Sequence, residues 1–359
     1  MDAPASLRIE SPINDCWRAN WPLHFLRIAG EIESPSKVCP EEPQTSVNIM
    51  SQQELDITDS LDWEEGLPRP RWDLIESRVD SQIDPGAQWD VWTVAARQWL
   101  TELGAALDKR YGVIESDHFL MLASQPEETG TSLLQFAERC RVRLLSSLEG
   151  VAEFDGRGKQ VVVELRNPKD YFQYICVFLP EGERGGSVGV QIREGYPHIA
   201  LHGRELWSLE NTLSHELTHA SLHKQSMPLW LEEGLAQMFE HDMTGRSLLD
   251  VTTEMAGLHK RYWGKHGLDA FWCGEGFSRP GKVQELSYQL AEILARLMVE
   301  ESRPRWFGWV REPQVRFFAF LRDANAADCG AAAAGKHLGL ELSSLAAKFL
   351  GPGNWSPSL

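Results

Sequence analysis

The sequence predicts an α+β fold, an α/β half followed by an all-helical half. Strand-like and helix-like patterns are mixed up to about residue 204, and almost every signal beyond it is helical through Phe349. A balance of 42% hydrophobic and 24% charged residues over 359 positions supplies enough apolar surface for one large or two smaller cores.

Residues 1–83 stand apart. SPSKVCPEEPQTS is broken by prolines, and ELDITDSLDWEEGLPRPRWD is acidic with little periodicity, so a loosely ordered segment is expected. Its Trp17, Trp21, Trp63 and Trp72 are candidates to dock on the main body, residues 1–83 as a whole are a candidate lid, and Met50 offers a second start. Asp84-Pro85-Gly86 then marks a turn. Trp92, Ala96, Trp99, Leu103 and Leu107 keep helical spacing until Gly112. HFLMLAS (118–124) reads as a buried strand, Leu133 to Leu148 as an amphipathic helix and VVVEL (161–165) as a second strand. Pro168 opens a short helix, and SVGVQI (187–192) and HIAL (198–201) read as two more strands. The expected units are therefore 1–83, an α/β part over 84–227 with a mixed sheet, and a helical part over 228–359.

Composition excludes several function classes. Thirty-five Lys and Arg against 52 Asp and Glu leave a net charge of −17, with no basic run, which argues against a nucleic-acid partner. No apolar stretch approaches the roughly 18 residues that span a bilayer, and the N-terminus lacks a signal-peptide pattern. The six cysteines are scattered without a CxxC pair, as free thiols in a reducing compartment would be. A cytoplasmic protein with no membrane partner is expected.

Histidine is concentrated. Six of the eleven fall between His198 and His241, and HELTH occupies 215–219. On a helix, residues i and i+4 lie about 40° apart, so His215 and His219 can reach one ion. Glu216 sits one residue round, placed to touch a water there without ligating. Two histidines leave a tetrahedral zinc short of a protein ligand and an open position. SMPLWLEEGLAQMFE follows after a stretch short enough to force an antiparallel return, which brings Glu232 or Glu233 over the histidines. His223, eight residues after His215, lies about 12 Å further along the axis and cannot share the ion. Leu222 and Gln225 stand where a metzincin would need Gly and His.

HELTH followed by WLEEGLA resembles the gluzincin zinc peptidases, the clan of thermolysin-like and aminopeptidase N-like enzymes. In detail the resemblance covers 185–241, and in order of elements about 115–300. It implies a two-lobed catalytic domain, one Zn²⁺ per chain, a peptide or protein substrate, and Glu216 as the general base. By position it implies Glu233 as the third ligand beside His215 and His219, with Gly234 letting the two helices approach and Glu232 a solvated neighbour. It also implies that SVGVQIREG is an antiparallel edge strand facing the substrate, with HIALHG inside it. Gln237 takes the place of an aspartate that orients a histidine in thermolysin-like enzymes. Tyr288 takes the place of a tyrosine that stabilises the oxyanion, ahead of Tyr262, His259 and His266. The Gly-x-Met-Glu-Asn motif of the aminopeptidases is missing from SVGVQIREG, so an endopeptidase is expected. Rival readings are a zinc protein that no longer cleaves, a zinc hydrolase of another bond, and an interaction protein built on the acidic N-terminal segment.

Overall fold

The computed structural model describes residues 55–124, 127–154, 157–178, 188–246, 249, 251–302 and 312–358. Its centre is a mixed five-stranded sheet. β4 (Phe119–Ala123), β5 (Gln160–Leu165) and β7 (His198–His202) are parallel neighbours. They are short apolar runs because both faces are covered. Phe119, Met121, Val162, Ile199 and Leu201 face one core, whereas Leu120, Leu122, Val161, Val163 and Ala200 face the other. Two strands pair antiparallel at the borders, β3 (Gly112–Glu115) on β4 and β6 (Gly189–Ile192) on β7, giving the order β3-β4-β5-β7-β6. The sequence reading overlooked β3, a four-residue strand whose register comes only from pairing with β4.

Residues 55–83 correct the expectation of loose order. A hairpin, β1 (Leu61–Glu64) and β2 (Leu67–Pro70), leads into helix α1 (Trp72–Gln82). Trp72, Ile75 and Val79 are buried at helical spacing, so this acidic stretch carries an apolar stripe after all. The Trp72 ring lies 5.5 Å from Trp99 and 5.3 Å from Tyr196, centroid to centroid, and Arg69 reaches Glu194 beyond β6 at 2.8 Å. The segment thus belongs to the second core. Trp63 stays 58% exposed, while Trp17 and Trp21 lie outside the described residues.

Helices α2 (Gln88–Leu107) and α4 (Pro168–Phe178) cover the same face as α1, and α3 (Glu127–Ser147) and α5 (Leu206–Leu222) the opposite one. Beyond α5 come α6 (Leu229–Thr244), α7 (Thr253–His266), α8 (Lys282–Glu301), α9 (Glu312–Asp323) and α10 (Leu342–Leu350). One continuous apolar core runs from Phe119 of the sheet to Trp355 beside these helices, so the two parts share an interior. Each large side chain fully buried there contributes roughly 1.5–3 kcal/mol. Among the described residues, no helix is long and apolar enough to cross a membrane.

Gly234 permits a close helix approach, but not the one expected. Its open side faces α8 rather than α5: a Cβ there would lie 2.5 Å from the Ala291 carbonyl oxygen and 2.8 Å from the Ala295 Cβ. Gly234→Ala gains about 1 kcal/mol of helix propensity. The forced separation costs about 1–3 kcal/mol and prevails. Urea denaturation should show a net loss of stability, and a more stable variant would contradict this packing.

Candidate metal centre

HELTH lies within the last two turns of α5, with Leu209, Leu213 and Leu217 locked in the core. That stripe fixes the helix's rotation and points His215 and His219 away from the sheet. The following helix α6 returns beside α5, with Trp230, Leu231 and Leu235 buried and Glu233 directed inward. His215, His219 and Glu233 are the group among the described residues that could hold a metal ion, and one donor atom from each lies within 4.8 Å of the others.

The spacings are close to those of a ligand shell. The two Nε2 atoms are 3.2 Å apart, and Glu233 Oε2 lies 3.4 Å from His215 Nε2 and 3.6 Å from His219 Nε2. Donors about 2.0–2.1 Å from a tetrahedral zinc stand about 3.3 Å from one another. Glu233 is only 7% exposed, and its Oε2 has no hydrogen-bond partner. In the metal-free chain that oxygen faces only the two imidazoles, and a buried carboxylate needs a cation, a protonated histidine or a metal, to meet it.

Carboxylates also hold the outer nitrogens. Glu232 Oε1 lies 2.9 Å from His219 Nδ1, and Glu240 Oε2 lies 3.4 Å from His215 Nδ1. Imidazoles that donate from Nδ1 keep the Nε2 lone pair free for a metal. Glu232, expected to be solvated, is therefore part of the centre. Gln237 does not orient a histidine. Its Nε2 donates to the Tyr288 carbonyl of α8, and Glu240 occupies the orienting place. Seven residues span 700°, 20° short of two full turns, so Glu240 keeps nearly the same face as Glu233. That spacing was legible in the sequence.

Glu216 is 8% exposed and stays outside the ligand group. It sits against β6. His202 N–H donates to the Val188 carbonyl, so the antiparallel alternation turns the backbone groups of Gly189 and Gln191 outward. The Gln191 amide donates to Glu216. Gly189 has no room for a side chain, because a Cβ would overlap Thr212 Cγ2 and lie 3.3 Å from Glu216 Oε1. Burial raises the Glu216 pKa above the ordinary carboxylate value, which makes it a better proton acceptor.

The other expected residues sit as follows. Tyr288 is on α8, its ring edge-on to Phe277 at 5.2 Å. Tyr262 stacks on His266 at 4.6 Å. His259 is buried with both ring nitrogens engaged, one by Gln289 and one by the Trp263 indole. His202 packs on Tyr171, and His223 Nδ1 meets the Ala220 carbonyl at the end of α5.

Compared with protein-family models and with curated proteins, the chain matches none. Its functional reading rests on the chemistry of these side chains.

That chemistry is pH-dependent. In the metal-free chain, burial opposes charge on His215, but the Glu233 and Glu240 carboxylates outweigh it and raise its pKa to about 9. His219 is raised too, with Glu233 and Glu232 overcoming burial. Glu233, despite its burial, is held down to about 2, first by His219 and then by His215. The raised His215 pKa stabilises the metal-free fold fully below the ordinary histidine value of about 6.5. That contribution fades as pH rises through about 9. A metal needs the Nε2 lone pairs and displaces these protons, so its stabilisation grows in the same direction. The difference in Tm between metal-loaded and chelated protein should widen from about pH 6 to about pH 9. A constant or shrinking difference would contradict the two-histidine site.

Proposed function

We propose that this chain is a zinc-dependent metallopeptidase of gluzincin type, cleaving peptide bonds within peptide or protein substrates. The reading is carried by His215, His219 and Glu233 meeting at ligand spacing, with the buried Glu233 Oε2 facing the Nε2 atoms of both imidazoles. The resemblance of HELTH and WLEEGLA to that clan, and an antiparallel border strand beside Glu216, support it. When bound, the metal acidifies a water and polarises the substrate carbonyl.

The chain's own residues supply the rest. Glu216 accepts the proton of the attacking water and passes it to the leaving nitrogen. The outer edge of β6 suits an extended peptide laid antiparallel beside it, with the Gln191 carbonyl rather than its Glu216-bound amide as a backbone partner, which orients the scissile bond. Tyr288, on the helix packed along α6, is the donor that the resemblance assigns to the developing oxyanion.

Zinc-loaded protein incubated with a mixed peptide library should yield internal cleavages that disappear with a chelator and return with zinc. Turnover of small esters or amides with an untouched library would favour a hydrolase of another bond on the same site.

A further inference from the structure

Glu232 is the carboxylate that joins the ligand helices to the border strand. Its Oε1 faces two donors, His219 Nδ1 at 2.9 Å and Arg193 Nη2 at 3.2 Å. Arg193 directly follows β6, and its Nε donates to the Gln191 side chain at 3.1 Å. The Gln191 backbone amide in turn holds Glu216. The end of β6 therefore grips the centre twice, through Arg193 and Glu232 to His219, and through Gln191 to Glu216. The Glu232 side chain is 14% exposed and that of Arg193 is 55% exposed, so the link runs from the surface to the ligands.

We propose that Glu232 is a positioning residue for His219 and that Arg193 anchors it, so that the metal centre and the substrate-facing strand become ordered together. This rests on the metal reading above. A glutamate side chain has three torsions and loses rotamer freedom when it fixes an imidazole. An arginine held by the strand and bonded to the same oxygen removes much of that freedom beforehand. The sign of one substitution separates this role from simple charge. A guanidinium near a divalent cation repels it, so Arg193→Gln tightens zinc if charge alone matters. As the loss of an anchor, the same substitution weakens zinc.

The test is zinc affinity by chelator competition on the full chain, which needs no turnover. Glu232→Ala should weaken zinc by about 10–100-fold, the usual effect of losing a ligand's orienting partner. Glu232→Gln keeps an acceptor for the Nδ1 proton and should lose no more than about tenfold. It also carries the test if the alanine variant folds poorly. Arg193→Gln should weaken zinc several-fold in the wild-type background and add nothing in Glu232→Ala, because the anchor acts through Glu232. The proposal is overturned if both Glu232 variants bind within twofold of wild type, if Arg193→Gln binds tighter, or if its loss is the same in both backgrounds. A wild type that binds no zinc overturns the metal reading as well, an outcome distinct from a zinc-binding wild type with indifferent Glu232 variants.

Discussion

Glu216→Gln retains zinc at the wild-type level and loses turnover by about 10²–10⁴-fold, the range general acid–base catalysis contributes. The two halves of this result have separate causes. Glutamine matches glutamate in shape, and its amide oxygen still accepts from the Gln191 amide, so the contact with β6 persists. His215, His219 and Glu233 are untouched, so metal content should not change. What disappears is a buried carboxylate with a raised pKa, and an amide accepts no proton from water. Metal analysis and peptide-cleavage rates on the same preparation measure both halves. Unchanged turnover would sink the enzyme reading, and zinc lost with turnover would mean that Glu216 holds the metal.

Glu233→Ala gives the opposite pattern, with loss of zinc and, in consequence, of all cleavage. Only the two imidazoles remain. The drop in affinity should exceed the about 10–100-fold of an orienting residue, because a ligand itself is gone. The histidines also lose the carboxylate whose Oε2 lies within 3.6 Å of both Nε2 atoms. Protonated, they are then less well compensated, so their pKa values fall and the metal-free variant loses stability. Zinc measured after dialysis, wild type beside variant, decides the matter. Full retention by Glu233→Ala would show that the two helices do not share an ion.

The grouping of His215, His219 and Glu233 was legible because its geometry is local. HELTH needs only helical periodicity, and WLEEGLA needs only a short return. The central strands were legible for a similar reason, since FLMLA and VVVEL are apolar enough to demand cover on both faces. What escaped depends on proximity across elements. Glu232 resembles any solvated glutamate until α6 lies beside α5 with Arg193 above it. Gly234 reads as room for α5, yet α8 fills that room. The stripe of Trp72, Ile75 and Val79 was masked by Asp73, Glu76 and Asp80, which share its helix.

The border position of β6 has a cost for the molecule in solution. Among the described residues, no strand pairs with its outer side. An outer strand edge that suits a peptide can also meet a second copy of the same strand, and such pairing would cover the face beside Glu216 in both. Two features limit that self-association: the strand is only four residues long, and Arg193 and Glu194 directly follow it. Short length restricts the ladder two copies could build, and charged neighbours must stay hydrated. The strand is thus long enough to seat a transient visitor and too short to support a lasting fibril.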